Sequence, residues 1–296
     1  MSLSAVILTY NEAKHIDRCI GSIQDIVENI YVLDSFSSDD TLDLLSQYPN
    51  VHVRQNKFIN YATQFNLAIE LFDIKSEWIL RIDADEILDP VCAKWISLNL
   101  PHISKDINGI HLNRFMTFMG RLMLHGGMSS YWALRIWRNG FGQCEQRWMD
   151  EHILLSEGNT IKSDGKLIDD NLNTLSWWAH KHVDYSTREA IDILLKESSN
   201  TQIKANFFGN NAERLRFLKG IYNKTPLFLR PFAYFIYRYI IKAGLLDGAE
   251  GFLWCVFQGF WYRMMVDAKV YEIKKYAILE SKTISEVVKE KYGYEI

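Results

Sequence analysis

Cysteine is scarce and scattered: Cys19, Cys92, Cys144 and Cys255 lie far apart in 296 residues, and no two form a CxxC pair. That spacing argues against a disulfide framework or a zinc site and fits a reducing cytoplasm. No uninterrupted apolar stretch reaches the roughly 20 residues that a membrane-spanning helix needs. The first residues, MSLSAVILTYNE, lack a basic leader and carry only a short apolar run, so no secretory signal is expected. Internal repeats and low-complexity tracts are absent. There is no large charge of one sign either: the formal net charge is −3, with 48 % hydrophobic residues. The chain therefore reads as one large globular domain, or a domain with an appendage.

Charge is unevenly distributed. From Lys204 to Lys275 there are 12 Lys/Arg against 5 Asp/Glu, while the remainder carries 21 against 31. An acidic body joined to a basic, aromatic C-terminal segment implies two tasks.

Over the first ninety residues, β-type runs at Leu3–Leu8, Ile30–Asp34, Val51–Arg54 and Trp78–Ile82 alternate with helical periodicity at Ala13–Val27, Thr41–Tyr48 and Asn60–Phe72. This alternation predicts βαβ units in a parallel sheet. Ligands of such sheets bind beyond the carboxyl ends of the strands. Polar groups stand there: Thr9-Tyr10-Asn11-Glu12 after the first strand, Asp34 after the second, and Asp83, Asp85 and Glu86 in LRIDADEILDP after the fourth. Carboxylates gathered at one rim can hold a divalent cation, which in turn holds phosphates. They can equally cap turns. An EF-hand is excluded, because counting from Asp83 the sixth position is Leu88 instead of Gly and the twelfth is Lys94 instead of Glu.

VILTYNE at Val6–Glu12, DSFSSDDT at Asp34–Thr41, NKFINYATQFNLAIE at Asn56–Glu70 and RIDADE at Arg81–Glu86 occur in one order. Together they resemble the family 2 glycosyltransferases of the GT-A fold, especially bacterial enzymes of lipopolysaccharide-core and surface-polysaccharide synthesis. The resemblance is strong over residues 3–90, thins through 110–190 and returns weakly at Lys242–Phe252. It implies an α/β class: a Rossmann-like, mostly parallel sheet flanked by helices, with an α-helical C-terminal extension. It implies a catalytic domain over 1–200, with a nucleotide-sugar half at 1–90 and an acceptor half at 91–200, followed by a membrane-associating region at 201–296. It also implies nucleotide-sugar contacts from Thr9, Tyr10, Asn11, Glu12, Asp34, Asn66 (in a Q-x-N pattern with Gln64) and Asp83. Asp85, with Asp83, would bind magnesium or manganese. The usual D-x-x-S-x-D-x-T pattern is met by Asp34, Ser37, Asp39 and Thr41, but its common Gly is Phe36 here, at a place where Gly permits positive φ.

Such transfer needs a stabilised leaving group and a carboxylate base on the acceptor side. The resemblance implies inversion, hence a β-linkage from an α-linked, UDP-type hexose donor to a lipid-linked saccharide. RWMDEHI at Arg147–Ile153 carries the candidate bases, Glu151 and Asp150, beside an acceptor-side Trp148. Gly126-Gly127 reads as a loop near the donor. Arg135 and Arg138 are candidates for phosphate binding or for pairing with acidic neighbours, and Lys181 and His182 for the diphosphate.

Thr225–Met265 interleaves aromatic and basic residues with apolar ones, a pattern of helices lying in a membrane interface. A peripheral position at the inner face of the cytoplasmic membrane is expected, and no nucleic-acid partner. Two alternatives stand beside this reading. One is a phosphatase of the haloacid dehalogenase type, whose D-x-D-x-[TV] motif DADEI approaches, although that motif belongs after a first strand. The other is a non-enzymatic, membrane-bound sugar-binding protein.

Overall fold

The computed structural model describes residues 2–127, 130–146, 152–198 and 225–294. Two compact units are present: Met1–Leu124 with Met128–Asn173, and His125–Gly127 with Thr174–Ile296.

The first unit is built on a mixed sheet. Strands β1 (Leu3–Thr9), β2 (Asn29–Asp34), β3 (Val51–Gln55) and β4 (Trp78–Arg81) are separated by helices α1 (Ile16–Ile23), α2 (Thr41–Leu45) and α3 (Tyr61–Phe72). They pair in the order β3-β2-β1-β4, all parallel. Burial is nearly continuous along β1 and β4, and alternate residues join opposite faces, as a sheet covered on both faces requires. Leu3, Ala5, Ile7, Ile30, Val32, Trp78 and Leu80 enter one core cluster, and Val6, Leu33 and Ile79 enter the other. Helix α1 buries Ile16, Cys19, Ile20 and Ile23 on the first face, and α3 buries Ala62, Phe65 and Ala68 on the second.

Strand β1 has β2 on one side and β4 on the other, so the chain order reverses there. That reversal opens a crevice beyond the carboxyl ends of β1 and β4, where α/β sheets bind ligands. After β5 (Glu86–Leu88), helix α4 (Pro90–Asn99) starts on an Asp89 side chain that accepts from Cys92 N at 2.7 Å. Beyond β4 the sheet continues through β8 (Ser130–Arg138) and β6 (Ile107–Phe118), with β8 antiparallel to both neighbours. Along the far edge of β6 run β11 (Asn159–Lys162) and β12 (Leu167–Asp169), and β12 pairs with β5. The short β7 (Arg121–Leu122) pairs with the end of β6, and β9 (Gly142–Cys144) with β10 (Ile153–Leu155). Gly165 is needed before β12: its φ is +79° and a Cβ would stand 2.2 Å from Cys92 N.

The second unit is helical: α5 (Leu175–Ser198), α6 (Leu229–Ile236), α7 (Gly248–Trp254), α8 (Tyr262–Leu279) and α9 (Ile284–Tyr292). A π-helical turn, Tyr237–Ile241, follows α6, and a second, Cys255–Trp261, joins α7 to α8. The division between units falls at 173/174. The reason is packing: Ala190, Ile191, Ile193 and Leu194 of α5 share a core with Tyr262, Val266, Val270 and Ile273 of α8. An ion pair ties the start of α6 to α8. Asp267, 1 % exposed, accepts from Arg230 Nε at 2.7 Å, from Arg230 Nη2 and from Phe228 N at 2.9 Å. Asp267→Ala removes this carboxylate from buried Arg230, and is expected to cost about 3–5 kcal/mol in a denaturant melt of the full chain.

Candidate donor-sugar site

Two turns meet at the crevice. Asp34, at the end of β2, is fully buried and is the hub of the first. Its Oδ1 accepts from Thr9 Oγ1 at 2.9 Å and Ser37 Oγ at 2.5 Å, and its Oδ2 from Ser37 N at 2.9 Å and Gln55 Nε2 at 3.0 Å. Expected to bond a base or ribose, Asp34 is here committed to the protein, and a nucleoside reaches it only by displacing one of these donors. The loop after β1 is stitched to the same turn. Asn11 N donates to Ser37 Oγ, Ser38 N to Asn11 Oδ1, and Glu12 N to Thr41 Oγ1, each at 2.8 Å. Asn11 and Phe36 hold positive φ, 57° and 61°. The turn that usually carries Gly keeps its left-handed conformation with a phenylalanine in it. The Phe36 ring, 56 % exposed, and Tyr10, 61 % exposed, are thus presented at the rim.

Asn66 and Gln64 take other tasks than nucleotide contact. Asn66 clasps the backbone of Cys144 through both amide atoms, at 2.9 Å each, and so fixes β9. Gln64, 1 % exposed, bonds Asn56 and Ser35. Residues two apart on a helix point in different directions, which the Q-x-N spacing alone does not resolve.

The second turn, Asp83–Glu86, carries the acidic cluster. Glu86 N donates to Asp83 O at 2.9 Å, and the Glu86 carboxylate reaches back to Asp83 N at 3.0 Å. Glu86 is fully buried and accepts from Arg114 Nε at 2.5 Å and Arg135 Nη2 at 2.6 Å. Arg114 also pairs with Asp169 at 2.5 Å. Asp83, expected to touch ribose and metal, instead accepts from Tyr61 Oη at 2.5 Å and pairs with Arg135 at 3.3 Å and Arg81 at 3.8 Å. Burial would raise its pKa, but Arg135, Arg81 and the Tyr61 hydroxyl outweigh that and hold the carboxyl well below its usual range. The expectation that a positive partner offsets the acidic cluster is met by guanidinium groups of β4, β6 and β8. Arg135 is one of them, whereas Arg138 pairs with Glu77 and bonds the Ile107 carbonyl.

Asp85 is placed differently. It forms no ion pair with these arginines among the described residues. Its Oδ2 accepts from Asn171 Nδ2 at 3.0 Å and its carbonyl from Asp170 N at 2.9 Å. The segment Asp170–Asn173 spans the crevice mouth: Asp170 pairs with Arg18 at 2.5 Å, Leu172 N donates to His15 Nε2 at 2.9 Å, and Lys14 reaches Asn173 at 3.3 Å. Because His15 Nε2 accepts, its Nδ1 carries the proton and donates to Glu12 at 2.6 Å. Arg18, Tyr61, Arg81 and Arg114 were not candidates from sequence, whereas Asp169 and Asp170 enter only as later motifs of the phosphatase alternative. The arginines share one signal, a lone Arg in an apolar strand or in a helix.

No three His, Cys, Asp or Glu side chains among the described residues form a metal-binding set. The donor set at the crevice does not suit zinc, which takes three or four protein ligands. It suits magnesium or manganese, which take one or two carboxylates and fill the shell with phosphate and water oxygens. Glu151, Asp150 and Trp148 lie outside the described residues, between β9 and β10. Lys181 and His182 belong to the helical unit: the Lys181 ammonium lies 4.7 Å from the Trp177 ring, and His182 stacks on Trp178 at 3.6 Å. Burial pushes the His182 pKa down to about 4. The phosphatase alternative finds no support in this geometry: its would-be nucleophile, Asp83, ends the fourth strand and is clamped by Tyr61 and Arg135.

The crevice and its carboxylate rim belong to an α/β domain built on parallel strands. Residues 4–122 match the family model of glycosyl transferase family 2. Among relatives, the prophage-derived glycosyltransferase SunS of Bacillus subtilis is 39 % identical over 88 residues, 29 % of this chain and 20 % of that protein. The chain thus matches about a fifth of that relative's length. The lipopolysaccharide core biosynthesis glycosyltransferase LpsC of Rhizobium meliloti is 26 % identical over 277 residues, 92 % of this chain and 93 % of that protein. Among solved structures, S. aureus TarS residues 1–349 overlays with a TM-score of 0.41 and 15 % identity, covering 95 % of this chain and 92 % of that one.

Three outcomes are expected. Glu86→Gln leaves two buried arginines undercompensated and lowers stability by about 3–5 kcal/mol in urea melts. Phe36→Gly relieves left-handed strain and raises stability by about 1 kcal/mol. Burial pushes Asp169 up to about 7 against the pull of Arg114, with repulsion from Asp85, Glu86 and Asp83 adding to the rise. A raised carboxyl binds its proton more tightly in the folded state, so its stabilising contribution is full below about pH 4 and is lost as pH rises through 7. Melting temperatures measured from pH 4 to 8 should therefore decline less for Asp169→Asn than for the unmutated chain.

Proposed function

We propose that the chain is an inverting glycosyltransferase that moves a hexose from a UDP-linked donor to a lipid-linked saccharide, forming a β-linkage. The observation that carries this reading is the position of Asp85, outside the arginine cage and at the crevice rim of a family 2 domain. In this reading Tyr10 and Phe36 flank the base, while Asp34 keeps Thr9, Ser37 and Gln55 in place around the nucleoside. Asn11 and Glu12 hold the loop after β1 against that turn. Asp83, fixed by Tyr61 and Arg135, shapes the turn that aims Asp85. A magnesium or manganese ion held by Asp85 and the diphosphate would neutralise charge on the leaving nucleotide. Glu151, or Asp150, serves as the base that takes the acceptor proton, with Trp148 against the acceptor sugar.

The full-length similarity to LpsC supports an acceptor of the lipopolysaccharide-core kind. No described helix is long and apolar enough to cross a membrane. Leu229, Phe232, Ile236, Ile240, Ile241 and Leu246 are each more than half exposed. These side chains support peripheral attachment at the cytoplasmic face of the membrane, where a lipid-linked acceptor resides.

The test is nucleotide release from a panel of UDP- and GDP-sugars with an extract of lipid-linked acceptor, with and without manganese. Metal-dependent release from one UDP-hexose is expected, falling at least a hundredfold in Asp85→Asn and in Glu151→Gln, in line with the loss of a charge-stabilising group or a general base. Equal release by the unmutated chain and Asp85→Asn contradicts the assignment.

A further inference from the structure

The helical unit contains a buried cation that no carboxylate among the described residues is seen to pair with. Arg238, in the π-helical turn after α6, is 1 % exposed. Its Nε donates to the Gly126 carbonyl at 2.8 Å, but Nη1 and Nη2 are buried with no hydrogen-bond partner among the described residues. Leaving a guanidinium in that condition is unfavourable unless an acceptor arrives, because both desolvation and unmet donors oppose it. Burial accordingly lowers its pKa.

The surroundings leave those two nitrogens facing backbone. A Cβ on Gly126 would stand 3.9 Å from Nη2, and one on Gly259 3.7 Å from Nη1. Gly259 lies in the second π-helical segment, and such segments recur at functional sites. Nearby carboxylates are engaged elsewhere: Asp247 accepts from His125 N and Nδ1, each at 2.8 Å, and Glu189 pairs with Arg263 at 2.5 Å. The Tyr234 ring lies 5.7 Å and the Trp254 ring 6.0 Å from the guanidinium carbon, and the Cys255 thiol is also close enough to act on it. His125, 38 % exposed, brings the adjoining turn to the surface.

We propose that Arg238 anchors a phosphate-binding site in the helical unit, with Nη1 and Nη2 as a paired donor fork for two oxygens of a phosphate or diphosphate group. A planar guanidinium matches that geometry as a lysine does not. The same helical run exposes Ile236, Ile240 and Ile241, which favours a phosphate carried by an amphiphile. The site is separate from the crevice at β1 and β4, and it stands or falls independently of the donor reading.

The test uses the full chain and its Arg238→Gln variant with two probes. The first is phosphatidylcholine vesicles doped with phosphatidic acid, compared with vesicles doped with phosphatidylserine to the same surface charge, read by co-sedimentation. The second is pyrophosphate in solution, read by thermal shift. An affinity loss of about tenfold or more on phosphatidic acid vesicles alone supports the site and assigns it a lipid phosphate. Stabilisation by pyrophosphate that disappears in the variant, with vesicle binding unchanged, supports the site and assigns it a soluble phosphate compound. Identical behaviour of both proteins toward both probes, or no response of the unmutated chain to either, overturns it. Should circular dichroism show Arg238→Gln unfolded, Arg238→Lys takes its place. It keeps the positive charge but removes the paired donor fork, and unchanged binding there overturns the proposal. UDP binding measured in each variant separates failure of this site from failure of the donor site.

Discussion

Everything at the crevice depends on Glu86. A carboxylate with no exposure, bonded to Arg114 and Arg135, is tolerable only because both guanidinium groups are equally confined and meet it at hydrogen-bond distance. Removing either side would leave the other charge buried in a low-dielectric interior. That mutual dependence ties β5, β6 and β8 together beneath one turn. It also dictates the shape of that turn, because the second Glu86 oxygen caps the backbone of Asp83.

The consequence is a division of labour within three consecutive acidic positions. Asp83 is drawn inward by Tyr61 and Arg135, and Glu86 is sealed below. Asp85 projects between them and shares its backbone and side chain with Asp170 and Asn171. Repulsion inside the cluster is thereby converted into orientation. Local arginines neutralise two carboxylates, and a third stays at the rim with its charge uncompensated by them. The residual crowding reappears at Asp169, whose affinity for a proton is raised. In the proposed reading, a cation at the rim with a diphosphate beyond it would complete these electrostatics.

Much of the sheet was legible because its signals are local. The expected strands end within a residue or so of β1 to β4, and helical periodicity fell where α1 and α3 form. The unusual Phe36 was legible as a departure, and the structure shows that the turn keeps its positive φ and presents the ring. Other parts were not legible, since they depend on pairings between distant segments. Nothing in Q-x-N announces that Asn66 will grip Cys144, and nothing in RIDADE announces that Arg114 and Arg135 arrive from two later strands. Nor does charge counting reveal that the apolar face of α5 shares a core with α8. Asp34 was placed at the correct strand end, but the four donors that hold it come from three separate segments.

The central claim is that Asp85 alone among the clustered carboxylates meets the cation, and that it does so together with the nucleotide. Manganese binding followed by electron paramagnetic resonance, with and without UDP, tests it most directly. The account predicts tight uptake of one manganese only when UDP is present, abolished by Asp85→Asn. Equally tight uptake without nucleotide, or in Asp85→Asn, would contradict it.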